Sequence, residues 1–278
     1  MAKNLGVRVG ALTPLQGGIC QLLAQDRKRS GESYIAGALS LNTLIGAPRI
    51  SRGIDVFHDT EEALRATVSH DIALLEEAKY SVDVQRRTQA FADSIVSRGT
   101  EQVEMQWARD SAFRFFPLLE HSDFGLVLHP FDAATNKVLA LVGRLEVRDW
   151  IDVIECDARL QPLGFLAWAA SGKDPGFSPA MILAEGARSG RYSALEVSAL
   201  EFEGKPPDAA FLSQQWRAMR QNASEIIQVL PPERVGRCVL DERQRLFRGD
   251  AATLQSALSS ESVYFHEGTT GGAWPHFK

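Results

Sequence analysis

The hydrophobic spacing of this chain changes period twice, and that change constrains its fold more than any other feature. Residues 12–31, "LTPLQGGICQLLAQDRKRSG", open with Thr13 as a helix cap and Pro14 at the first helical position. Gly31 stops the pattern, so a helix is predicted from about Pro14 to Lys28. Tyr34 to Ala36 reads as a short strand, Gly37 as a turn, and Ala38 to Leu44 as a short helix. Residues 60–79, "TEEALRATVSHDIALLEEAK", are again helical in spacing, with Thr60 as cap and acids in the first turn. The period then drops to two. Val82, Val84, Val103, Met105 and Trp107, broken near Gly99, predict two or three antiparallel strands, with another at residues 125–129. Beyond Asp132 the spacing returns to helical. A cap is expected at Asp132, a break between Gly143 and Glu146, a new start at Ser178 and Pro179, and a helix over about Asp208 to Val229. The remaining residues mix strand-like stretches with one short helix, which makes the fold class α+β.

Composition narrows the classes of function. The chain of 278 residues is 45% apolar and 23% charged, ordinary for a globular protein with a sizeable core. Its net charge of -5 gives no support to a generally basic nucleic-acid coat, although a local basic cleft is compatible with it. Cys20, Cys156 and Cys238 are scattered without CxxC spacing, which argues against a disulfide framework or structural zinc. No signal peptide or membrane-length apolar run is legible, so a soluble, cytoplasmic protein with no membrane partner is expected.

The chemistry centres on residues 49–59, "RISRGIDVFHD". Ile54, Val56 and Phe57 suit a strand, with Asp55 among them. Two carboxylates at i and i+2 of a strand can share one metal ion, but the partner position here is Gly53. The stretch fits a nucleotide and metal pocket in which Gly37 approaches phosphate, Ser51 donates a hydrogen bond and Asp55 binds Mg²⁺. It also fits a strand ending in a solvated Asp, since an isolated Asp near a Gly is common in loops. Lys137 and Arg144, seven apart, share a helix face that suits either a phosphate cleft or solvent. In "RDWID", Asp149 and Asp152 are i and i+3, and Arg148 to Asp152 has the spacing of a surface salt bridge. "FRFFP" (residues 113–117) reads as a base-stacking patch or as core. The six histidines show no metal spacing, and His58 is notable only for its neighbours Asp55 and Asp59. GxSxG, HExxH and Walker A motifs are absent.

The order of these motifs is more specific than any one of them. "YIAGALSLN", then "RISRGIDVF", then strands, then "DAATNKVLALVGRLEVRDWID" resembles the AbiEii/AbiGii-type nucleotidyltransferase toxin family, a branch of the polymerase-β-like nucleotidyltransferases. The resemblance covers roughly residues 12–185. It implies an N-terminal nucleotidyltransferase domain with a small mixed sheet flanked by helices, followed by a helical region. Gly37 would be the phosphate-loop glycine, Ser51 the serine before the acidic pair, and Asp55 the second acid of that pair. Lys137 would contact nucleotide phosphate with Arg144 beside it, and Asp149 or Asp152 would be the last functional acid. Glu104 is a candidate for a further metal-binding carboxylate, with Gln106 equally near and unable to supply charge.

The departures are as informative. The family's second glycine is Ala38, its hydroxyl residue is Leu39, and its first metal-binding aspartate is Gly53. Glycine there leaves a divalent ion short of a ligand and of negative charge. Two functions follow as expectations: Mg²⁺-dependent transfer of a nucleotide from an NTP to an acceptor such as RNA, or a degenerate relative that binds nucleotide, RNA or protein without transfer. A purely structural subunit is a third. The resemblance also implies an antitoxin-like protein partner. Expected domains are residues 1–130 (nucleotidyltransferase-like), 131–230 (helical) and 231–278 (a small α/β tail).

Overall fold

The structure, a computed structural model, describes residues 12–188 and 192–276. In chain order its elements begin with α1 (Pro14–Ser30), β1 (Tyr34–Ala36), α2 (Gly37–Ile45), β2 (Arg49–Ile50), β3 (Gly53–His58) and α3 (Glu61–Glu77). Strands β4 (Ser81–Arg87), β5 (Phe91–Arg98), β6 (Glu101–Arg109), β7 (Phe113–Arg114), β8 (Leu119–His121) and β9 (Gly125–Val127) follow. Then come α4 (Pro130–Arg144), α5 (Val147–Arg159), α6 (Leu163–Ala170), α7 (Pro179–Gly186), α8 (Ala194–Ser198), β10 (Glu201–Phe202) and α9 (Ala209–Val229). A 3-10 turn (Pro232–Arg234), β11 (Cys238–Asp241), α10 (Ala251–Ser259), β12 (Val263–His266) and β13 (Thr269–Thr270) complete the chain. No helix among the described residues is long and apolar enough to cross a membrane.

The chain divides into two compact units. The first takes in the chain up to Ser111 together with Leu118–Leu128 and Glu201–Gly204. Its seven-stranded mixed sheet has the order β4-β5-β6-β3-β1-β9-β8, with β3 parallel to β6 and β1 parallel to β9, the other pairs being antiparallel. Strict alternation sorts the two faces. Ile54, Val56, Ala92, Val96, Val103, Met105 and Trp107 form one core with Ile19 and Leu23 of α1 and Leu64, Val68 and Leu75 of α3. Local capping explains those helices. Thr13 and Gln16 form a reciprocal capping box on α1, and Thr60 Oγ1 accepts from Ala63 N at α3.

The second unit takes in Ala112–Pro117, His129–Leu200 and the chain from Lys205 onward. Helices α4 and α5 fold back on each other through Leu145, whose φ of 55° makes the tight left-handed turn. Phe165, Trp168, Ile226, Leu230, Val239, Phe247 and Leu254 form one core cluster, so β11 and α10 pack with α6 and α9. The helix α4 is capped by His129, whose Nδ1 accepts from Phe131 N, and not by Asp132 as the sequence suggested. Asp132 is completely buried, and its carboxylate instead accepts from Phe115 N (2.8 Å) and Phe116 N (3.0 Å) and lies 2.8 Å from Lys173 Nζ.

Candidate functional site

In the first unit, β3 carries Gly53 and Asp55 on the sheet face opposite the core. Asp55 is level with Ala36 of β1 and Gln106 of β6, and Gly53 is level with Glu104. Gly37 starts α2 with a φ of 69°, and a β-carbon there would overlap Asp55 Oδ2. Both the left-handed backbone and this close approach require glycine. The Asp55 carboxylate therefore sits at the positive end of α2, where the helix dipole favours an anion.

Gly53 differs from Gly37 in kind. Its φ is not left-handed, and a β-carbon would meet nothing nearer than Glu104 O at 3.5 Å, an ordinary contact. Backbone geometry thus does not demand glycine at 53, and an aspartate could stand there. Ser51 is buried, and its Oγ donates to Gly53 O at 3.4 Å while its own carbonyl accepts from Gln16 Nε2 at 2.8 Å. It shapes the entry into β3. Asn42 does similar work by donating to Arg49 O at 2.9 Å, which accounts for the asparagine in "YIAGALSLN".

Mg²⁺ is the ion the resemblance implies, and the residues present do not fit it. Among the described residues no three His, Cys, Asp or Glu side chains gather as a metal-holding group. Glu104 is exposed, shares the face of Asp55 and accepts a hydrogen bond from Gln106 Nε2 at 2.6 Å. The residue level with Asp55 is thus an amide, and the nearer acid position faces a glycine. Asp93 of β5, which sequence reading missed, lies in the same register row beyond Gln106 and is 3.7 Å from Arg86 Nε. Only strand pairing could have revealed it.

His58 belongs elsewhere. Alternation turns it into the core, where Nδ1 donates to Ala108 O at 3.3 Å and burial lowers its pKa from 6.5 to about 4. Because the folded state binds the proton less tightly than the unfolded chain, its stabilising effect is complete above pH ~6.5 and is lost as pH falls toward about 4. The urea midpoint is therefore expected to fall across that window, and His58→Gln to flatten the slope. Only part of the slope should go, since burial likewise lowers the His129 pKa to about 4. An unchanged slope in the variant would contradict this assignment.

In the second unit, Lys137 of α4 is 8% exposed and reaches two acids of α5. Its Nζ lies 2.8 Å from Asp149 Oδ1 and 3.2 Å from Asp152 Oδ2. Arg144 Nη2 donates to Asp149 Oδ1 at 3.1 Å and lies 2.9 Å from Oδ2, an approach that is electrostatic rather than a well-aligned hydrogen bond. The seven-residue spacing of Lys137 and Arg144 thus brings both cations to Asp149. Neither Lys137 nor Asp152 is on a solvated face. Arg148 pairs with Glu146 at 2.6 Å, not with Asp152, because Lys137 takes that carboxylate. Two cations face two carboxylates here, so a phosphate approaching Lys137 must compete with both acids.

No family model and no curated protein matches the chain. Solved structures do. A Helicobacter pylori protein described as a nucleotidyltransferase superposes with a TM-score of 0.51 at 13% identity, over 78% of this chain and 98% of its own. JHP933 from Helicobacter pylori gives a TM-score of 0.48 at 14% identity, over 76% of this chain and 89% of its own. MenT4, a nucleotidyltransferase toxin from Mycobacterium tuberculosis H37Rv, gives 0.47 at 18%, over 88% and 90%. The H. pylori match, joined to the mixed sheet and the placement of β1, Gly37 and β3, establishes a nucleotidyltransferase fold for this chain.

Proposed function

We propose that this nucleotidyltransferase-fold protein binds a nucleotide without transferring it. Gly53 carries the reading: one carboxylate remains on β3 where a bridged divalent ion needs at least two. A carboxylate repels an unneutralised triphosphate but accepts hydrogen bonds from sugar hydroxyls. Asp55 is therefore assigned to a ribose hydroxyl, beside the glycine-led start of α2, and the binding needs no metal.

Isothermal titration with AMP and ATP tests this. EDTA should leave affinity unchanged, AMP should bind at least as well as ATP, and Asp55→Asn should weaken both. Gly53→Asp, for which the backbone has room, should make ATP binding Mg²⁺-dependent. Strict Mg²⁺ dependence in the natural protein would refute the reading.

Retention of Asp55, Lys137, Asp149 and Asp152 together favours a second reading. In it the chain transfers a nucleotide from an NTP to RNA in the cytoplasm, with Mg²⁺ held by Asp55 and Glu104 and an antitoxin-like protein as partner. Among the described residues no three His, Cys, Asp or Glu side chains gather as a metal-holding group, which weighs against it.

A further inference from the structure

The second unit contains an open cavity of about 560 Å³ lined by Phe116, His129, Leu160, Gln244, Arg245 and Trp274 among others. Its size lies within the range of small-molecule sites. Aromatic rings build its wall. Phe116 stacks on His129 with centroids 4.2 Å apart, and Trp274 lies 6.2 Å from Phe116 and 6.3 Å from His129. His129 Nδ1 accepts from Phe131 N, which fixes the neutral ring and keeps the wall uncharged. Trp274 is 52% exposed, whereas Trp107, Trp150, Trp168 and Trp216 are at most 4% exposed. Among the described residues neither its indole N–H nor the Gln244 carboxamide has a hydrogen-bond partner.

Arg245 is the one charged residue lining the cavity among the described residues. Arg245 is anchored by Asp241 through contacts of 3.0 and 2.8 Å, so it is held in place at the cavity. An exposed indole and an adaptable amide together match a flat heterocycle with polar edges. We propose that this cavity binds an unpaired nucleobase, stacked on Trp274 and hydrogen-bonded at its edge by Gln244. This goes beyond the reading of Asp55 and stands if that reading fails.

The test is fluorescence anisotropy of an end-labelled single-stranded RNA pentamer with the full chain, with AMP as competitor. Trp274→Ala should weaken binding about tenfold, the loss of one stacked base, while Trp274→Phe keeps most of it. Gln244→Ala should weaken it less. The three variants at the cavity replace exposed side chains, so the fold should survive them. Displacement by AMP would assign the base to a free nucleotide, and its failure to displace would assign it to a strand; either supports the site. Failure of both ligands to bind, or equal binding by the natural protein and Trp274→Ala, would overturn it.

Discussion

Replacing Lys137 with methionine is expected to lower the free energy of unfolding by about 3–5 kcal/mol, the loss typical when one partner leaves a buried ion network. Asp149 and Asp152 are completely buried, and Lys137 Nζ lies within 3.2 Å of both. Without it, two buried carboxylates lose the ammonium that lies against both. Arg144 reaches Asp149 from a half-exposed position and offsets only part of that loss. Thermal unfolding should fall by roughly 6–20 °C at about 2–4 °C per kcal/mol. The double variant Lys137→Met with Asp152→Asn should recover part of the loss, since it removes a buried charge along with its partner. A single variant as stable as the natural protein would show that these groups are hydrated.

Asp132→Ala should cost a similar ~3–5 kcal/mol for a different reason. The lost carboxylate ties together three groups distant in sequence: Phe115 N, Phe116 N and Lys173 Nζ. Two backbone donors would then lack their acceptor, and the buried Lys173 ammonium, still bonded to Asn136 Oδ1 and the Asp132 backbone carbonyl, would lose the carboxylate against it. Asp132→Asn should recover some of the loss, since its carbonyl can accept one N–H while its amide cannot neutralise Lys173. Urea denaturation of the two variants checks this ordering, and equal losses would contradict it.

These two residues also show where sequence legibility stops. Helices α1, α3, α7 and α9 were readable because their caps at Thr13, Thr60, Ser178 and Asp208 are local, within three residues of what they bond. Asp132 was misread as a cap for the complementary reason. Its partners lie 16, 17 and 41 residues away, and no local pattern encodes them. The same holds for Arg148, whose spacing to Asp152 is right for a pair but which loses that acid to a lysine on the preceding helix.

The candidate site divides in the same way. The alternation of β3 was enough to place Gly53 and Asp55 on one face, since side-chain period in a strand is a local property. That Gly37 must be glycine was not legible in full, because the carboxylate against it comes from a strand eighteen residues later. The row Asp55, Gln106, Asp93 depends on which strands pair and in what register. Sequence spacing alone leaves that open.

Incubation of the purified chain with labelled NTPs and total RNA, in Mg²⁺ and separately in Mn²⁺, tests the central claim most directly. The account predicts no label in RNA under either metal, because β3 lacks the second carboxylate at Gly53. Incorporation by the natural protein that Asp55→Asn abolishes would contradict it.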